Sequence, residues 1–358
     1  MLPLIGQLLL YAATDAPLQA CGRHFAWRAH GRDERQFRWA LTGGLAPLLH
    51  SAAAPCADIL PPTWRDELLG ADLTARVRHA GIVDDMLKIL DARDRLGIEV
   101  TLLKGVSVSE QFYPQEHFRP MADIDLLVTP AAYPRIENAL LARGYRRLEP
   151  WAMHGHQHGA PLLHADRGSV IELHTRLFAA DSELGAGDTF GAANVAGQSV
   201  ASIYHGRPVK RLSVELQLAY IAASWFNDMT VSRFQPSFIA SLFDAIYLLR
   251  RCGRSLNWPG LLDWLDNEMA RASLRALLSY LPRYGVPAPP PVLEALAAKR
   301  LLGPVQQRLV HQALDRYLIG GRAWDLPIPP PVPGRYSLGH QLRKRILSRL
   351  QRAAAPGS

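Results

Sequence analysis

Cysteine is scarce here. Three residues, Cys21, Cys56 and Cys252, are scattered through 358, odd in number and without any CxxC spacing. That argues against a disulfide framework and leaves three buried or idle thiols in a reducing cytosol as the expectation. Long apolar runs are also missing. No stretch approaches eighteen uninterrupted apolar residues, so no membrane span is expected. The opening MLPLIGQLLLYAATDAPLQAC is apolar but has no basic residue ahead of its hydrophobic patch, which makes it a poor secretory leader. The expected location is cytoplasmic. Internal repeats are absent. What is present is a globular composition, 48% hydrophobic and 20% charged, enough for one large domain or two ordinary ones. The formal net charge of +8 favours anionic partners such as nucleotides, nucleic acid or a membrane surface without choosing among them.

Patterning divides the chain. Residues 1–96 read as helical. The strongest case is 73–96, where Val77, Val83, Met86, Leu87 and Leu90 recur at helical spacing, with Asp72 as N-cap and Gly97 as the closing glycine. The period then shortens. IEVTLL (98–103) suits a strand, Gly105 punctuates it, and VSVSEQFY (106–113) suits a short helix. DIDLLV (123–128) is a second strand, and Thr129-Pro130 opens a helix that Gly144 closes. SVIELHTRLF (169–178) alternates as a half-buried strand does. Strands separated by helices within about eighty residues indicate an α/β sheet unit. From about 213 the chain is helical again, through VELQLAYIAASWF and PSFIASLFDAIYLLRRCG. PIPPPVPG (327–334) is a polyproline-type spacer, followed by a basic tail with Leu338, Leu342, Ile346 and Leu350 on one stripe. That tail suits packing on its own protein or contact with an anionic surface.

The chemistry concentrates in three segments. Side chains at i and i+2 of a strand share a face, so Asp123 and Asp125 project together while Ile124 points the other way. Two such carboxylates repel each other and resist burial unless a cation lies between them, and hard oxygens of this kind suit Mg²⁺. An N-capping Asp followed by an exposed one would give the same letters. LLKGVS (102–107) runs from a strand through Gly105 into a helix, an arrangement that offers backbone N–H groups, Lys104 and the Ser107 hydroxyl to a phosphate. Glu172 in VIELH supplies a third carboxylate, unless it simply faces solvent.

LLKGVS, RPMADIDLLV, Gly144-Tyr145 and IELH in this order resemble the bacterial uncharacterised nucleotidyltransferase family, within the DNA polymerase β-type nucleotidyltransferase superfamily. FDAIYLLRR around Asp244 and SLNWPGLL around Trp258 resemble that family's helical region more loosely, and the likeness extends over about 35–320. It implies an α+β fold: an α/β nucleotidyltransferase core with a small mixed sheet (97–180), flanked by helical N-terminal (1–96) and C-terminal (181–326) regions and a spacer-and-tail segment (327–358). It implies that Asp123, Asp125 and Glu172 are the catalytic carboxylates and ligands for Mg²⁺, two ions in all, with Glu172 as base toward the acceptor hydroxyl. Lys104, Gly105, Ser107 and Arg119 would then bind the phosphates of an NTP such as ATP. One departure stands out. The superfamily's turn usually reads Gly-Ser or Gly-Gly, whereas Val106 follows Gly105 here and the hydroxyl comes one place later.

Arg119 suits either phosphate contact or pairing with an acid. His154, His156 and His158 alternate in a His-rich loop, and His158 and His174 are candidates for substrate contact. Trp225 and Trp264 read as core. The implied reaction moves an NMP from an NTP to a hydroxyl of a small molecule, protein or RNA. Two alternatives remain: a catalytically silent protein of this fold serving as an RNA-binding or scaffold subunit, and a toxin that nucleotidylates tRNA.

Overall fold

The computed structural model describes residues 2–18, 32–148, 157–165, 168–231, 238–297 and 303–321. The proline-rich spacer, the basic tail, His154 and His156 lie outside these. Helices α1 (Leu4–Thr14), α2 (Arg32–Thr42), α3 (Ala46–Ala53) and α4 (Pro62–Leu96) precede the first strand. Strands β1 (Thr101–Leu102), β2 (Asp123–Leu127), β3 (Tyr145–Arg147), β4 (Leu162–His164), β5 (Val170–His174), β6 (Ser199–Tyr204) and β7 (Arg207–Leu212) then interleave with α5 (Lys104–Phe112), α6 (Tyr133–Leu141) and α7 (Ala192–Gly197). From α8 (Val214–Val231) onward, through α9 (Ile239–Cys252), α10 (Trp258–Trp264), α11 (Glu268–Tyr280), α12 (Pro290–Ala297) and α13 (Pro304–Ala313), the described chain is helical.

The seven strands form one mixed sheet in the order β3-β4-β5-β2-β1-β7-β6. The pair that matters most is β2 with β5, parallel and in register from Asp123 opposite Val170 to Leu127 opposite His174. Alternation along these strands sorts their residues onto two faces. Ile124, Leu126, Ile171 and Leu173 pack against Ile82, Met86, Ile89 and Leu90 of α4 and Ile136 and Leu140 of α6. The opposite face carries the carboxylates and is roofed by the helical region. Leu103 and Leu212 there join a large core with Leu216, Tyr220, Phe243 and Leu274. The same core takes in Leu4, Leu8, Phe37 and Leu48, so N-terminal and C-terminal helices form one apolar body beside the sheet.

The expected α+β class holds, with three local differences. The sheet continues past residue 180: a β6–β7 hairpin occupies 199–212, inside the stretch expected to be helical. Helix α4 begins at Pro62, whose fixed φ suits a first turn, so Asp72 lies mid-helix and buried instead of capping it. Its carboxylate pairs with His117 at 3.1 Å and Arg76 at 3.0 Å. Gly97 does close α4, in the left-handed region at φ 59°. Third, the expectation of three idle thiols is corrected. Cys56 is disulfide-bonded, while Cys252 is a free thiol. Pairing of cysteines depends on proximity in the fold, which spacing along the chain does not reveal.

Candidate active site

Strand β1 passes into α5 through Leu103 alone, and the Leu103 N–H donates to the Asp125 carbonyl at 3.1 Å. Lys104, the first residue of α5, therefore sits beside β2. Its backbone is left-handed, with φ at 42°, a conformation that disfavours a side chain. Gly105 follows for a steric reason. A Cβ there would come within 2.7 Å of Met121 Cγ and 2.8 Å of its Sδ. The glycine thus lets the RPMA loop close over the start of α5, immediately before Asp123.

The Lys104 ammonium donates to Asp125 Oδ1 at 2.7 Å, and His174 Nε2 lies 2.8 Å from the same oxygen. Glu172 stands directly opposite Asp125 across the parallel pair. Its Oε2 is 3.5 Å from Nε2 of both His174 and His158. His158 reaches β5 through an antiparallel bridge to His174, and its Nδ1 bonds the Gly159 carbonyl at 2.8 Å. One ligand atom from each of Asp125, Glu172 and His174 falls within a 4.8 Å span, the only such metal-capable group among the described residues. Asp123 shares the face but stands outside that group, so the tight trio contains His174 where the expected triad had Asp123.

Burial and mutual repulsion separate the two aspartates. Asp123 is pushed up to about 6, first by burial and then by the charges of Asp125 and Glu172. Burial would raise Asp125 as well, but Lys104 and His174 hold it well below the usual carboxylate range. His174 itself is raised: burial opposes its charge, and its hydrogen bonds to Asp125 and Glu172 prevail. His158 is lowered by burial. Lys104 stays firmly charged because Asp125 outweighs its desolvation.

Two contributors from α8 escape a motif reading. Tyr220 is buried, and burial drives its hydroxyl upward beside Lys104, Asp125, Asp228 and Glu172. Asp228 is pushed up to about 6 by burial, against the pull of Lys104. The signal for Asp228 was a lone acid at the end of the apolar run AYIAASWF. The face thus gathers Asp123, Asp125, Glu172 and Asp228 around Lys104 and His174, an excess of carboxylate that suits a divalent cation.

The remaining candidates have other company. Arg119 donates from Nε to Asp244 Oδ1 at 2.8 Å and from Nη2 to Asp244 Oδ2 at 3.0 Å, and its Nη1 donates to the Pro120 carbonyl. Its guanidinium is therefore committed to α9, the acid-pairing alternative that the sequence left open. Ser107 is fully buried in α5, where its Oγ accepts from Gln111 at 3.2 Å. Trp225 lies in the core, and Trp264 packs against it from its edge.

Solved structures with a similar course include the solution structure of the antibiotic-resistance factor ANT(2'')-Ia. It is 17% identical, with a TM-score of 0.33, over 48% of this chain and 91% of that one. Another is a crystal structure of an antigenic nucleotidyltransferase-like protein from Paracoccidioides brasiliensis, 16% identical with a TM-score of 0.39, over 60% of this chain and 92% of that one. No curated protein matches the chain. A family model described as Uncharacterised nucleotidyltransferase matches residues 31–284, well over half of the length. The chain belongs to this uncharacterised nucleotidyltransferase family.

Proposed function

We propose that the protein transfers a nucleoside monophosphate from an NTP to a hydroxyl acceptor and releases pyrophosphate, with Mg²⁺ held at the carboxylate face in the manner of the polymerase β-type superfamily. The observation that carries this reading is the cross-strand set: Asp125 opposite Glu172, Asp123 two residues earlier on the same face, and the head of α5 beside them. The donor set fits a hard cation, since Asp123, Asp125 and Glu172 offer oxygens, and burial with the charges of Asp125 and Glu172 raises Asp123 to about 6. When bound, Mg²⁺ supplies charge neutralisation at the triphosphate.

The chain's own residues do the rest. Lys104 and the N-terminal N–H groups of α5 face incoming phosphate oxygens. The acceptor oxygen forms a bond to Pα as the Pα–O–Pβ bond breaks, and pyrophosphate leaves with that electron pair. Glu172, partly exposed and opposite Asp125, takes the acceptor's proton. His174, bridging Asp125 and Glu172, keeps the two carboxylates in fixed relation.

Thermal stabilisation by each NTP, with and without Mg²⁺, tests the reading in wild type and Asp123→Asn. A native-state ligand at a hundred times its Kd adds about 2.7 kcal/mol. The expected result is an NTP shift that needs Mg²⁺ and disappears in Asp123→Asn, together with nucleotidyl transfer to a hydroxyl. A second reading, a silent scaffold of the same fold, draws on Asp125 Oδ1 already bonding both Lys104 and His174. A folded wild-type protein that no NTP stabilises would select it.

A further inference from the structure

Lys104, expected to meet phosphate, is instead paired with a candidate metal ligand. Its Nζ lies 2.7 Å from Asp125 Oδ1, and His174 Nε2 lies 2.8 Å from the same oxygen, which belongs to one of the three residues grouped to hold a metal. A carboxylate oxygen has two lone pairs, and both are engaged. Mg²⁺ binds carboxylate oxygen at about 2.1 Å. An ion on that oxygen would therefore meet the ammonium at close range as a like charge.

Three further observations bear on what happens to the lysine. Its side chain is 32% exposed, whereas that of Asp125 is 3% exposed, so the lysine is the partner able to withdraw. Its backbone at the first position of α5 is left-handed, with φ at 42°, a conformation that disfavours a side chain. A second acidic group, Asp228 on α8, lies within electrostatic reach of the ammonium.

We infer that Lys104 is a resident counter-ion that competes with the divalent metal for Asp125 and transfers to the nucleotide's phosphates when metal and nucleotide enter together. This rests on the nucleotidyltransferase reading of the same site. In the ligand-free protein Lys104 pairs with Asp125 and balances its charge. A metal ion alone must displace it and gains little. A metal ion arriving with a triphosphate provides the lysine with a new anionic partner at the head of α5, so metal and nucleotide bind cooperatively.

The test is calorimetric and needs no turnover. Mn²⁺ is titrated into the full chain without nucleotide, for wild type and Lys104→Met, which keeps the stem and removes the charge. A non-hydrolysable ATP analogue is then titrated in saturating Mg²⁺. The expected result is Mn²⁺ binding tightened about fivefold or more in Lys104→Met, the smallest change that removing a like charge some 4 Å away produces. Analogue binding should weaken by at least as much. The opposite signs are the signature, because a damaged site would weaken both. Lys104→Gly, which also relieves the left-handed backbone, serves the same comparison if the methionine variant does not fold. Unchanged or weaker Mn²⁺ binding overturns the inference, as does unchanged analogue affinity, or no Mn²⁺ binding by any variant. In each case an intact Mg²⁺-dependent NTP shift, lost in Asp123→Asn, would leave the nucleotidyltransferase reading standing.

Discussion

Asp123 and Asp125 share a face of β2 but not an environment, and their amides should act on stability in opposite directions. Asp123 titrates near 6 instead of 3.8, so the native state binds more protons than the unfolded chain between those values. Stability therefore falls as pH rises through that window, and the neutral-pH cost is at most about 3 kcal/mol. Partial exposure of the carboxyl reduces it to about 1 kcal/mol. Asp123→Asn, melted in chelator at pH 7.5, should be more stable than wild type by about that amount, and the gain should vanish at pH 4. Asp125 is the reverse case. Lys104 and His174 depress it, so its contribution is present above the unfolded value and is lost only in acid. Asp125→Asn should cost about 3 kcal/mol at pH 7.5, because it strips a partner from the fully buried His174 imidazole and from the partly exposed Lys104 ammonium. If both variants moved the melting temperature the same way, the separate electrostatic roles assigned here would be wrong. The contrast also makes Asp123→Asn the cleaner probe of nucleotide binding.

At the scale of the element, α5 and the loop before β2 depend on each other through one missing methyl. Gly105→Ala would drive Cβ into Met121, a side chain flexible enough to yield, and alanine recovers helix propensity. The stability cost should therefore be about 1 kcal/mol or less, while displacement of the 119–122 loop should weaken Mg²⁺–NTP binding about tenfold. Met121→Ala on top of Gly105→Ala should restore most of that binding. Failure to rescue, seen in the same thermal-shift titration, would mean that the glycine serves the ligand directly. Much of this element was legible: alternation in DIDLL and the glycine after LLK locate β2 and the head of α5. The β6–β7 hairpin was not, because its two-residue turn is His205-Gly206, not the more familiar Asn-Gly, although both residues adopt positive φ, at 43° and 78°. Nor does any local pattern reveal that Lys104 bonds Asp125 across twenty-one residues, or that α8 brings Tyr220 and Asp228 over the same face. Those are consequences of packing between segments far apart in sequence.

For the whole molecule, the question is how a sheet-borne site is fixed against the helical body that roofs it. Asp244 of α9 is the tie. It is buried, it receives two bonds from Arg119 at 2.8 and 3.0 Å, and it accepts from the Tyr113 hydroxyl at 2.6 Å. Arg119 belongs to the loop that delivers Met121 and Asp123, and Tyr113 ends α5, so one carboxylate holds both halves of the candidate phosphate site to the helices. The core that α9 joins also includes α1, and Trp39 of α2 donates to the Leu318 carbonyl at 2.8 Å, so the helices before and after the sheet are bound to one body. Asp244→Asn should cost about 3 kcal/mol, since it leaves the Arg119 guanidinium poorly paired in a buried setting. Arg119→Met should cost less, because Tyr113 still serves Asp244, and the double variant should fall well short of the sum. Urea unfolding followed by both far-UV circular dichroism and tryptophan fluorescence measures this. Wild type should show one coincident transition, as sheet and helices share these ties. Asp244→Asn should unfold at a lower midpoint and lose Mg²⁺–NTP stabilisation while its carboxylate face remains chemically intact. Additive costs, or undiminished nucleotide binding in Asp244→Asn, would show that the helical body merely covers the site and does not position it.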